Sequence, residues 1–269
     1  MLSRLARARS NAAVRQARRR LLNDISAATD VSFVRLRGNI GDHLIWAGAR
    51  QLLRTVSYRE VAADALGEAS GQLAVMAGCG GWCEPFHGLA PDTLIELERR
   101  FERVIVLPST FDTSFDLTRE VLSSSKARIY AREQVSYEAI APLCDAAIAH
   151  DCAFYFDYRP YMRRGEGTLH AFRTDAESAI DWESRGGIPE SNIDISLACK
   201  TLDEWLWTIA RHEEVWTDRA HVMIAGGMLG KKVRYHSTTY HKVPAIADYS
   251  LRHLAVTDAE LDDWSASPR

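Results

Sequence analysis

Apolar and polar positions follow two rhythms along this chain. Residues 31–36 alternate as a half-buried strand does, while 73–77 and 104–108 are short apolar runs of the kind that cross a sheet covered on both faces. Residues 128–131 form another such run, and 145–150 hold a shorter, alanine-rich one. Between them, 43–56, 92–101, 117–124 and 132–143 carry helical spacing. Strands alternating with helices at these intervals predict a parallel sheet with helices on its faces.

An aromatic, basic, glycine-containing stretch at 156–167 interrupts the rhythm, which then restarts. Strands are expected at 168–173 and 193–197, and a helix at 201–211 with Thr201 as its cap. A strand and helix follow from Trp216 onward, then a strand at 233–237. A last helix is expected from 242 to 249, with room to continue toward Asp258. The predicted organisation is a helical leader over 1–27, an α/β lobe over 28–160, and a second α/β lobe over 161–269 with a terminal helix. The 269 residues suffice for two modest domains.

The net charge of −3 hides an asymmetry. Residues 1–23 contain seven arginines and no acid, leaving 26 basic against 36 acidic residues in the rest. Good helix formers dominate the leader, and Leu2, Leu5, Ala8, Ala12, Ala13, Ala17, Leu21 and Leu22 give it a thin apolar stripe. It reads either as a helix lying on an anionic membrane surface or as a solvated leader. The acidic body argues against a broad nucleic-acid interface. Five sparse cysteines, of which Cys79 and Cys83 are spaced CxxxC without a second pair, fit reduced thiols in the cytosol better than a zinc site. The nine histidines form no metal-ligand pair, and His212-Glu213-Glu214 lacks the second histidine of HExxH. No metal or cofactor is expected. No run is long and apolar enough to span a membrane, and the N-terminus lacks the apolar core of a secretory signal.

Candidate chemistry gathers where strands give way to helices. In Gly38-Asn39-Ile40-Gly41-Asp42 the glycines allow a ligand close to the backbone, and Asp42 serves either as a helix cap or as an acid/base group. Gly78-Cys79-Gly80-Gly81-Trp82 reads equally as a phosphate nest or a tight turn, and it lacks the GxGxxG spacing. Arg132 and Arg173 each follow a strand, at the sheet edge where such folds hold ligands. Arg219 and His221 fall at a helix opening, where unpaired N–H groups and the helix dipole favour a phosphate or carboxylate. Lys242, beyond the next strand, is placed to close the same anion pocket.

Taken in order, Gly38-Asn39-Ile40-Gly41-Asp42, the Gly78-to-Trp82 turn, Leu107-Pro108-Ser109-Thr110, Ala131-Arg132-Glu133, Thr217-Asp218-Arg219-Ala220-His221 and Lys242 resemble the polysaccharide pyruvyl transferase family over roughly residues 33–250. The stretch Phe172-Arg173-Thr174-Asp175-Ala176-Glu177-Ser178 resembles members from bacterial exopolysaccharide clusters. The resemblance implies two Rossmann-like lobes similar to B-type glycosyltransferases. It also implies transfer of pyruvate from phosphoenolpyruvate to a sugar hydroxyl pair of an exopolysaccharide or lipid-linked oligosaccharide, as a ketal. Arg132 and Arg219 are then donor-binding, with Asn39, Gly41, Gly80, Arg173 and Lys242 around them, and His221 and Asp42 are the candidate acids. The place implied is the cytoplasm, at the inner face of the membrane if the leader binds there. This chain departs from the family in its short second lobe and in Ala220, where many members have leucine. Two other readings stay open: a sugar-nucleotide glycosyltransferase on the same scaffold, and a non-catalytic part of a glycan assembly complex. Oligomeric state is not legible.

Overall fold

The computed structural model describes residues 4–259 apart from Ala27, Glu68, His87 and Ala176, without the side chains of residues 4–11. The chain forms two compact units. One holds Asn11–Gly38 and Asp42–Asp157; the other is built on the chain from Tyr158 onward and takes in residues up to Ser10 and Asn39–Gly41.

In the first unit, β1 (Val31–Arg35), β2 (Arg59–Ala62), β3 (Gly71–Met76), β4 (Phe101–Ser109), β5 (Arg128–Ala131) and β6 (Asp145–Ile148) make one sheet. Its order is β2-β1-β3-β4-β5-β6 and every pairing is parallel. Strand order reverses between β1 and β3, the kind of crevice where open α/β sheets bind ligands beyond their carboxyl ends. The helices are α1 (Arg4–Ile25) from Asn11 onward, α2 (Ile40–Leu52) from Asp42 onward, α3 (Leu89–Arg100), α4 (Asp116–Ser124) and α5 (Gln134–Ile140). Leu73, Ala74, Val75 and Met76 of β3 and Val104 to Leu107 of β4 are buried together, as unbroken apolar runs require. The second half of α1 packs against this unit. Ala17, Leu21 and Ile25 are sealed in the same core, and Arg15, Arg19 and Arg20 remain exposed.

The second unit carries β7 (Thr168–His170), β8 (Glu214–Thr217), β9 (Lys232–Tyr235) and β10 (Val256–Asp258), all parallel, in the order β10-β9-β8-β7. Its helices are α6 (Ile195–Ala198), α7 (Leu202–Ala210), α8 (Ala220–Met228) and α9 (Lys242–Ile246). Thr201 caps α7 as its sequence predicts, accepting the Glu204 N–H at 3.1 Å. The fold is thus α/β, with two Rossmann-like parallel sheets.

Four local expectations fail. Strand β2 was not anticipated: its half-exposed Arg59-Glu60-Val61-Ala62 has the charged pattern of an edge strand. The strand expected at 193–197 is instead the short helix α6, because Asp194 caps it by accepting the Ser196 N–H at 3.3 Å. The last helix stops at Ile246 and passes through a π-helical turn, Ala247–Leu251; the chain then returns as β10 beside β9. Asp42 is not the cap of α2. Asn39 is, its Oδ1 accepting the Gly41 N–H at 2.8 Å, and Asp42 lies within the first turn.

Candidate functional site

The first unit brings three predicted groups to the carboxyl edge of its sheet. Asp42, in the opening turn of α2, folds back over Gly38: a β-carbon placed there would lie 2.7 Å from the Asp42 Cγ. Gly80 follows β3 in a turn whose amides are partly spent within the protein. The Cys79 N–H donates to Ser109 Oγ at 3.1 Å and the Gly81 N–H to Cys79 Sγ at 3.3 Å, and the Gly80 carbonyl accepts from Cys83 Sγ at 3.4 Å. Gly78 lets that turn close onto β4, since a β-carbon there would come within 3.2 Å of the Pro108 carbonyl carbon. Two of the turn's amides, those of Cys79 and Gly81, are thus bound within the protein.

Arg132 leaves the end of β5 and is buried. Its Nε donates to Thr110 Oγ1 at 2.7 Å and its Nη1 meets Asp151 Oδ2 at 2.8 Å. It does not start a helix: Glu133 caps α5, accepting the Ser136 N–H at 2.9 Å. Asp151 is locked in turn by the Ala153 N–H, at 2.8 Å. His150 beside it has a pKa lowered to about 4 by burial, then by the Arg20 charge, against the pull of Asp151.

The second unit assembles a larger group. Its strands β7 and β8 deliver Arg173 and Arg219 to neighbouring positions just past their carboxyl ends, and Lys242 opens α9. Three carboxylates alternate with these three cations. Asp194 takes the Arg219 Nε at 2.6 Å, and Asp175 takes the Arg219 Nη2 at 3.1 Å and the Arg173 Nε at 2.6 Å. Glu177 pairs with both Arg173 and Lys242. Beneath this row Asp218 is fully buried. Its Oδ1 accepts the Arg173 N–H at 2.7 Å and its Oδ2 accepts from Ser178 Oγ at 3.3 Å. Burial pushes the Asp218 carboxyl up to about 7, against that N–H and the two guanidinium charges. For Asp175 the balance is opposite. Burial raises it, but the Arg173 hydrogen bond and the charges of Arg173 and Arg219 outweigh that and hold it below its ordinary value.

His221 lies in the first turn of α8, half-buried. In the same unit, Asn39 and Gly41 stand beside it: a β-carbon on Gly41 would be 3.1 Å from His221 Nδ1 and 3.0 Å from Asn39 Oδ1. Arg173, Arg219 and Lys242 are therefore joined through shared carboxylates, and Asn39, Gly41 and His221 lie close together. The carboxylates went unread in the sequence. Arg173 and Glu177 do have the spacing of a helical ion pair, but Asp194 lies 25 residues from the arginine it holds, inside a segment patterned like a strand. Among the described residues no group of three or more His, Cys, Asp or Glu side chains is arranged to hold a metal ion. None of the described helices is long and apolar enough to cross a membrane.

A crystal structure of a functionally uncharacterised protein from Klebsiella pneumoniae subsp. pneumoniae NTUH-K2044 shares this fold, with a TM-score of 0.75 at 22% identity over 92% of this chain and 98% of that one. Comparison with curated proteins gives no match. The motifs gathered at the two sheet edges fall largely within residues 39–235, the span matched by a family model; this chain belongs to the polysaccharide pyruvyl transferase family.

Proposed function

We propose that this transferase takes its pyruvyl group from phosphoenolpyruvate and closes it as a ketal on two hydroxyls of one sugar, in an exopolysaccharide or a lipid-linked precursor. The observation that carries this reading is the set of buried cations at the carboxyl edge of the second sheet, Arg173, Arg219 and Lys242, with His221 in the adjoining helix turn. A guanidinium matches a carboxylate or phosphate with two parallel hydrogen bonds, and a three-carbon donor bearing both anions suits such a row.

In this scheme His221 delivers a proton to the donor's methylene carbon, and C2 becomes electrophilic. A sugar hydroxyl attacks C2, and the proton it sheds leaves on the phosphate. The C2–O bond to phosphate breaks with its electrons, leaving inorganic phosphate, whose charge Arg219 and the opening amides of α8 stabilise. The neighbouring hydroxyl then adds to C2 and completes the ring, returning its proton to His221. Within the first unit Arg132 fixes Thr110 and the Asp151 turn. No cofactor enters.

The test is glycan-dependent release of phosphate from phosphoenolpyruvate, with mass spectrometry of the glycan for the pyruvyl increment. Arg219→Ala is expected to lower kcat/KM by about 10²-fold or more, the worth of a charge-assisted hydrogen-bond pair. Undiminished transfer in that variant, or turnover with sugar nucleotides in place of phosphoenolpyruvate, overturns the assignment.

A further inference from the structure

We infer that Asp175 is the specificity-determining residue of this anion site: its carboxylate stands where a substrate anion would bind, so that only a doubly charged group displaces it. The inference rests on the donor-site reading above for the identity of the ligand, and on geometry for the rest. Asp175 is the central link of the row. One oxygen accepts from Arg173 Nε at 2.6 Å, and the other accepts from Arg173 Nη2 and Arg219 Nη2, each at 3.1 Å. Bridging two guanidiniums with two oxygens is what a phosphate or carboxylate ligand does.

The three carboxylates of the row are not equivalent. Asp194 and Glu177 are buried, with side chains 6% and 3% exposed, and Asp194 is tied further by capping α6. Asp175 is 43% exposed, while the guanidiniums it covers are only 5% and 6% exposed. Among the described residues its one further tether is the Glu177 N–H, 3.2 Å from Oδ1. Asp194 and Glu177 therefore hold the arginines from within, and Asp175 faces solvent as the replaceable partner.

A carboxylate tethered this way competes at an effective concentration on the order of millimolar or above. A free monocarboxylate, offering the same charge and the same two oxygens, gains nothing by replacing it. A phosphate dianion offers an additional charge and a third oxygen to the same pair of arginines. The side chain thus rejects pyruvate and other monoanions while admitting a phosphorylated donor.

The experiment is calorimetric titration of the full chain with inorganic phosphate, with pyruvate and with phosphoenolpyruvate, comparing the unaltered protein with Asp175→Asn and Asp175→Ser. Removing the charge is expected to tighten phosphate at least tenfold and to bring pyruvate binding into the measurable range. Phosphate binding that is unchanged, weakened or absent in both variants overturns the inference. Loss of folding in both variants does so too, because the carboxylate would then be a structural strut. If phosphate tightens but phosphoenolpyruvate fails to bind any form, the role of Asp175 stands and the donor assignment falls.

Discussion

Gly48 lies in the interior of α2, where glycine is normally about 1 kcal/mol worse than alanine. Replacing it with alanine is therefore expected to stabilise the helix in isolation. In the protein the sign reverses. A β-carbon at this position would sit 2.7 Å from the Cys152 carbonyl carbon, nearer still to its oxygen, and 3.2 Å from the Ala153 nitrogen. Carbon atoms pack comfortably at about 3.5–4.0 Å, so the shortfall is at least roughly 0.8 Å against backbone, which no rotamer change can relieve. Overpacking of this kind costs about 1–3 kcal/mol and sometimes more, enough to cancel the helical gain and exceed it. Gly48→Ala is expected to lower the Tm by about 3 °C or more, read by circular dichroism during thermal unfolding. It should also lower transfer activity, because the displaced turn carries Asp151, the partner of Arg132. A Tm that rises, or does not move, would refute the close helix-to-turn approach on which this reasoning depends.

Two further outcomes are expected. His150 has a folded-state pKa of about 4, below its ordinary value of 6.5, so the unfolded chain takes up the proton first as pH falls. Its contribution is complete above about pH 6.5 and is lost between there and pH 4, by roughly 3 kcal/mol. Urea midpoints at pH 7 and pH 4.5 should fall further apart in the unaltered protein than in His150→Phe, and equal acid losses would contradict this. The exposed arginines of α1 are expected to attract the protein to anionic vesicles and not to neutral ones, by about 1 kcal/mol per arginine. Flotation that survives joint replacement of Arg15, Arg19 and Arg20 by alanine would assign the attraction elsewhere.

The sequence was most legible where burial on both faces left continuous apolar runs. Strand β5 has the predicted limits, and β3 and β4 appear where their runs lie, because a covered parallel strand tolerates little else. Strand β2 escaped because half of it faces solvent, so its pairing with β1 leaves no apolar signature. The segment around Asp194 misled for a different reason. Ile193-Asp194-Ile195-Ser196-Leu197 alternates like a strand, yet Asp194 is committed to a cap and to Arg219, and both bonds depend on tertiary structure. In the site, the cations were visible as residues that follow strands. Their carboxylate partners were not, because the Asp194–Arg219 and Glu177–Lys242 pairs join distant parts of the chain. The cap of α2 was within reach: Asn39 stands at the position that favours asparagine, three residues before Asp42.

The leader helix unites two properties on one rigid rod. Arg15, Arg19 and Arg20 are exposed, while Leu21 and Ile25 are shut into the apolar interior of the first unit. Prising the rod away would return both side chains to water, at a cost of roughly 3–6 kcal/mol. Any negatively charged surface touched by those arginines consequently meets the first unit in a single pose, so that arrival there also dictates which way the unit faces.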